Sequence, residues 1–181
     1  MAVNASRVLD EYLLASIRAG DRAALELLAR RWQRKLLAHA WRLLGGDAEA
    51  ARDAVQEGWV EIVNGLSRLR DDRAFPAWAH RIVSRRCARQ IDAAVHHRRL
   101  AAETEFENAV EPTQNTGPDS DRLRRAIRAL PPEQRAAIAL FHFEELSIAE
   151  VAVALDVPAG TVKTRLMHAR RKLRDALGGD E

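Results

Sequence analysis

Thr161, Lys163, Thr164, Arg165, His168, Arg171 and Lys172 crowd into one short stretch near the C-terminus. Hydroxyl, ammonium and guanidinium groups of this kind donate to phosphate oxygens, and an arginine can take both acceptors of a guanine edge. That chemistry is directed at nucleic acid. A second set of cations, Arg81, Arg85 and Arg89, recurs every four residues and so lines one helix face. Arg68, Arg70 and Arg73 precede it in a polar stretch, and Phe75 and Trp78 add aromatic rings. A cationic stripe with stacking groups holds single strands. At these spacings both rings also suit a helical core, the commoner role. A third cluster has the opposite sign. Asp53, Gln56, Glu57 and Glu61 share a face at three- and four-residue steps, which suits either a basic partner helix or plain solvent.

Hydrolytic or redox chemistry finds no comparable set. His39, His80, His96, His97, His142 and His168 show no metal-ligand spacing with acids or with Cys87. Gly45-Gly46 is followed by Asp47, without the lysine or serine of a phosphate loop. The expectation is no enzyme, no metal and no cofactor.

The elements that must position these groups read as helices. Ala, Leu, Arg and Glu dominate the 181 residues, and all of them favour helix. The first half predicts four helices, near residues 6–19, 21–44, 47–66 and 74–99. Asp21 and Asp47 serve as N-caps, Gly20 and Gly45-Gly46 as stops, and Pro76 sits in a first turn. Leu25, Leu28, Trp32, Leu36, Ala40, Leu43 and Leu44 form one apolar stripe; Ala51, Val55, Trp59, Ile62, Val63 and Leu66 form another. Trp78, Ile82, Ile91 and Val95 should face inward from the fourth helix. Residues 101–121 have no helical period and contain Pro112, Gly117 and Pro118, which reads as a linker.

Helices resume near residues 121–130 and 133–143. Ser147-Ile148-Ala149-Glu150 is a capping box opening a third, and Pro158 suits the first position of a fourth that ends at Gly178. A short apolar helix, a tight turn at Asp156-Val157 and a basic second helix describe a helix-turn-helix. Ala152 would allow close approach, and Val157 and Val162 would close the corner. A solvated αα-hairpin is the alternative. The coincidence of capping box, turn length, proline and basic helix favours DNA binding.

Net charge is only +3, but it is segregated. Residues 1–100 carry 18 basic against 12 acidic side chains, residues 101–121 none against 6, and residues 122–181 11 against 8. Two basic segments thus flank an acidic one, a polyanion-binding pattern. A lone cysteine rules out an internal disulfide, and neither a leader-like apolar segment nor a membrane-length apolar run is present. A cytoplasmic protein with no membrane insertion is expected.

The wording of these motifs also resembles a family. Leu146-Ser147-Ile148-Ala149-Glu150-Val151-Ala152, Val157-Pro158-Ala159-Gly160-Thr161-Val162-Lys163-Thr164-Arg165-Leu166 and Ala169-Arg170-Arg171-Lys172-Leu173 are similar to region 4.2 of extracytoplasmic-function sigma factors. Leu130-Pro131-Pro132-Glu133-Gln134-Arg135 resembles the approach to that domain. Asp47-Ala48-Glu49 through Asp53-Ala54-Val55-Gln56-Glu57-Gly58-Trp59 is similar to regions 2.1–2.2, and Phe75-Pro76-Ala77-Trp78-Ala79-His80-Arg81-Ile82-Val83 to regions 2.3–2.4. The likeness runs in order over roughly residues 10–177.

The resemblance implies an all-α protein of two small helical domains: region 2 in residues 1–100, a flexible acidic linker in 101–121, and region 4 in 122–181. It implies contacts to core RNA polymerase, its β and β′ subunits, from Asp53, Gln56, Glu57, Trp59 and Glu61. It implies −10 DNA contacts from Arg68, Arg70, Arg73, Phe75, Trp78, Arg81, Arg85 and Arg89, with His96, His97, Arg98 and Arg99 extending the surface. It implies −35 contacts from Thr161, Lys163, Thr164, Arg165, His168, Arg171 and Lys172. Promoter DNA and an anti-sigma protein complete the partners. Gly58 departs from the family, which usually has a bulkier apolar residue there, and is expected to loosen its helix by about 1 kcal/mol. The competing reading is a stand-alone helix-turn-helix regulator that binds duplex DNA without polymerase.

Overall fold

A computed structural model describes residues 2–100 and 118–178, with side chains for 5–96 and 120–178. The expected linker therefore lies outside the described residues up to 117, as do the side chains of His97, Arg98 and Arg99.

The first four helices are α1 (Ala2–Arg18), α2 (Arg22–Leu43), α3 (Ala48–Gly65) and α4 (Phe75–Leu100). Their starts follow from the caps. The Asp21 carboxylate accepts from the amides of Ala23 and Ala24, and Asp47 accepts from Glu49 and Ala50. Gly46, at φ +100°, ends α2 by donating its amide to the Trp41 carbonyl at 2.9 Å. That positive φ is what requires glycine; the nearest neighbour of a Cβ there would be the movable Arg128 guanidinium at 2.9 Å. The apolar stripes meet in one core of Leu28, Leu36, Val55, Ile62, Phe75, Val83 and Cys87, all fully buried.

Two expected inward residues are exposed: Val63 at 44% and Val95 at 38%. Val63 follows the buried Ile62 and sits about 100° round the helix from it, at the rim of a pocket with Leu14, Ile17 and Leu25. Val95 lies on the final stretch of α4, where residues 92–96 are all exposed. Gly58 also has a packing role. A Cβ there would stand 3.0 Å from the Val83 side chain, so the glycine admits the close approach of α3 and α4.

The remaining helices are α5 (Pro118–Arg128), α6 (Pro132–Ile138), α7 (Ile148–Leu155) and α8 (Ala159–Leu177). The expected helix over 133–143 winds as a π-turn at Ala139–Phe143, and the chain leaves it through Glu145 at φ +53°. The capping box is present in both directions, Ser147 amide to Glu150 carboxylate and Glu150 amide to Ser147 hydroxyl. Asp156 takes the left-handed conformation, and Pro158 is the cap of α8 rather than its first residue. Leu130, Ile138, Leu140, Leu146, Val151, Val162, Leu166 and Ala169 form a second core.

The two units pack against each other. Ala136 is buried in the first core, and Leu155 touches both. Arg128 lies over the Trp41 ring at 5.0 Å, and Arg42 over Phe143 at 4.3 Å. Arg42 also pairs with Glu144 at 2.8 Å, and Arg7 with Glu150 at 2.8 Å.

Candidate nucleic-acid interface

The helix-turn-helix is built from its buried side outward. Val162, Leu166 and Ala169 anchor α8 against Val151 and Ala154 of α7. The 3.6-residue period then turns Lys163, Thr164, Arg171 and Lys172 to solvent. Ala152 and Val157 pack at the corner as their size suggests. The Thr164 hydroxyl donates to its own helix, to the Gly160 carbonyl at 3.1 Å.

Arg165 behaves differently from its neighbours. Its side chain is 19% exposed and pairs with Glu133 at 3.0 Å. Thr161, Thr164, Arg165 and His168 line a groove of about 730 Å³ that faces Ala88, Ile91 and Asp92 of α4. The N-terminal edge of α8 thus looks toward the first domain.

The α4 stripe is also partly engaged. Arg81 pairs with Asp156 of the second domain at 3.0 Å, and Arg85 lies 3.8 Å from Glu61. Arg89 is exposed. Arg86, absent from the sequence reading, bonds Glu61 at 2.7 Å and Glu57 at 2.9 Å. The Glu61 bond, joined by Glu57, raises its guanidinium above the ordinary arginine value. Its carboxylate partners stand one helix away, so helical spacing could not have found the pairing.

The loop before α4 is two 3-10 turns, Leu66–Arg68 and Asp72–Ala74. Arg18 of α1 pins it by donating to Asp72 at 2.8 Å and to the Leu69 carbonyl at 2.7 Å. Arg68, Arg70 and Arg73 are exposed on this loop, with Arg73 held by Asp71 at 3.1 Å. Phe75 takes the core role that its spacing favoured, not the stacking role that the resemblance implied. Its ring is fully buried against Trp32 at 5.1 Å and leaves no face for a base. Trp78 is half-buried, packed where a Cβ on Gly65 would fall 2.7 Å from its ring.

On α3, Asp53, Gln56 and Glu57 are exposed together, and Glu61 is half-buried. Trp59 is half-buried, and its indole N–H donates to Gln33 at 2.6 Å, a partner on α2 that the sequence reading did not include.

Comparison with known proteins matches both halves of the chain. The family model described as Sigma-70 region 2 covers residues 28–96, and that described as Sigma-70, region 4 covers residues 120–173. The chain is 37% identical over 178 residues to the ECF RNA polymerase sigma factor SigM of Mycobacterium tuberculosis strain H37Rv, covering 93% of this chain and 85% of that protein. It is 30% identical to the RNA polymerase sigma-H factor of Pseudomonas aeruginosa, with 93% of each covered. The ECF RNA polymerase sigma-E factor of Escherichia coli K12 is also 30% identical, over 92% of this chain and 93% of that one.

Two solved structures share the fold. One is the sigma factor RpoE in complex with the anti-sigma factor NepR from Bartonella quintana, at TM-score 0.72 and 22% identity over 87% of this chain and 98% of that one. The other is CnrH in complex with the cytosolic domain of CnrY, at TM-score 0.67 and 24% identity over 96% and 99%. With both family regions matched in order, and relatives at 30–37% identity along nearly their whole length, the chain belongs to the extracytoplasmic-function sigma factors of RNA polymerase.

Proposed function

We propose that this protein binds core RNA polymerase and directs promoter-specific initiation, without catalysis of its own. The carrying observation is one chain with two complementary surfaces: the exposed acidic face of α3 and the exposed basic face of α8. Asp53, Gln56 and Glu57, with Trp59 and Glu61 beside them, suit a basic polymerase helix. Arg68, Arg70 and Arg73, followed by Arg81, Arg85 and Arg89, suit the phosphates of the −10 strand, with Trp78 the remaining ring for stacking. Lys163, Arg171 and Lys172, with Thr161, Thr164, Arg165 and His168, suit a −35 duplex. We assign residues 1–100 to the first task and 122–181 to the second, with 101–121 joining them, although 118–121 already belong to α5.

Thr161, Thr164, Arg165 and His168 face α4 in this conformation, so reading a major groove through them requires the domains to part. Two weak readers on a tether act bivalently once held apart on polymerase. Such work places the protein in the cytoplasm, where an anti-sigma protein is the expected regulator. Among the described residues, no helix is long and apolar enough to cross a membrane.

Run-off transcription with purified core polymerase on a genomic promoter library tests the reading. The expected result is new start sites with a shared −35/−10 pattern. Duplex binding by the free chain with no redirected transcription would favour the stand-alone regulator.

A further inference from the structure

His39 on α2 and His80 on α4 are fully buried where the first domain meets the second, with ring centroids 4.9 Å apart. One nitrogen of each ring is committed. His80 Nδ1–H donates to the Pro76 carbonyl at 2.8 Å, and His39 Nε2 bonds the Ser84 hydroxyl at 2.9 Å. The other nitrogens, His39 Nδ1 and His80 Nε2, are buried without a hydrogen-bond partner. Glu144, from the end of the π-turn in the second domain, approaches them. Its Oε2 lies 3.5 Å from His80 Nε2, while Oε1 accepts from Arg42 at 2.8 Å. One donor atom from each of the three residues lies within 4.8 Å of the others.

A hydrogen-bonded cluster explains this poorly. At 3.5 Å the His80–Glu144 pair is beyond ordinary hydrogen-bond distance, and His39 Nδ1 would stay orphaned in any case. A metal ion would use both orphaned nitrogens. The outer partners already match that use: each imidazole is oriented through its far nitrogen, and the carboxylate is held through its spare oxygen. A ligating imidazole must be neutral. Burial, aided by the neighbouring His80 and Arg42, pushes His39 well below the ordinary histidine value.

Two imidazoles and a carboxylate with an open fourth position form a set that zinc-class divalent ions take. Tetrahedral ligands at about 2.0 Å stand about 3.3 Å apart, so the pair at 3.5 Å is nearly placed and the wider separations must contract. A cavity of about 250 Å³, lined by Asp10, Trp32, Lys35, His80 and Glu144, opens beside them and offers an entry path and a fourth-ligand water.

We propose that His39, His80 and Glu144 bind one divalent transition-metal ion across the domain seam, clasping the second domain onto the first. Binding itself is independent of the sigma reading. Its consequence rests on that reading: the occupied clasp would hold the N-terminal edge of α8 against α4 and lower promoter binding.

The test is a Co²⁺ titration of the metal-stripped full chain, with Zn²⁺ as competitor. One saturable equivalent with tetrahedral ligand-field absorption is expected, displaced by Zn²⁺. Glu144→Gln and His80→Gln should each weaken binding on the order of 100-fold, whereas His96→Ala and His142→Ala should leave it unchanged. Zn²⁺ should raise the Tm of the natural chain but not that of Glu144→Gln, a nearly isosteric change that keeps the fold testable. Absence of saturable binding, or binding that survives Glu144→Gln at natural affinity, overturns the clasp. Run-off transcription by the metal-free chain reads the sigma function separately, so the two failures are distinguishable.

Discussion

The cations of α4 and those of α8 look alike in sequence but sit in different electrostatic company. Arg81, Arg85 and Arg86 all face carboxylates of the same chain: Asp156, Glu61 and Glu57. Lys163, Arg171 and Lys172 are exposed, with no ion pair among the described residues. A phosphate approaching α4 must compete with in-chain partners, whereas one approaching the outer face of α8 displaces only water and counterions. Arginine spacing therefore locates positive charge but does not measure how much of it is free.

The strongest challenge to this comparison concerns Phe75, which marks where DNA-facing residues give way to core. Phe75→Ala should cost about 3–5 kcal/mol of stability, read by urea unfolding, because it empties a fully buried site. Phe75→Leu should retain promoter melting, read with permanganate footprinting of the holoenzyme complex. Loss of melting in a stably folded Phe75→Leu chain would return the ring to the DNA.

Next in size is Arg171→Ala, expected to lower −35 promoter binding by the holoenzyme by about 1–3 kcal/mol in a fluorescence anisotropy titration, if the side chain reaches a base edge. Arg165→Ala should cost binding only where the domains have parted. Its penalty in the holoenzyme should therefore exceed that in the free chain.

A finer distinction is salt dependence. Arg89→Ala should reduce the slope of log binding constant against log salt by about 1, the full value for a free cation on phosphate. Arg85→Ala should reduce it by less, because Glu61 already neutralises part of its charge. Equal slopes would erase the distinction drawn between paired and free cations. The pairs themselves contribute little to stability. Glu57→Gln, at an exposed end of the Arg86 network, should change unfolding free energy by less than about 1 kcal/mol in the same urea assay.

The smallest effect expected is none. Cys87 is fully buried, and that burial pushes its thiol up to about 12, so at pH 8 it is protonated and shielded. Mass spectrometry after alkylation of the native chain should find Cys87 unmodified, and urea should expose it. Rapid native labelling would mean that the α3–α4 packing opens.

Much of this architecture was legible because it is local. Asp21, Asp47 and the Ser147–Glu150 box act over at most three residues, and the apolar stripes act over four. The glycine stops likewise depend only on the backbone beside them. The helix-turn-helix was readable for the same reason. The readings that spacing left open mostly involve contacts between helices. Spacing could not show that Gly58 lies against Val83, and it left Phe75 between core and DNA until the ring was seen against Trp32.

Residue order alone thus determined the helices, most of their caps, and which helix faces carry basic or acidic side chains, since each follows from interactions within a turn or two. Tertiary structure decided which charges are spent and which groups meet: Arg86 with Glu57 and Glu61, Arg165 with Glu133, and His39 and His80 with Glu144. Helical period sets the face a side chain occupies, but the identity of the opposing face depends on how separate helices pack. No spacing along the chain encodes that directly.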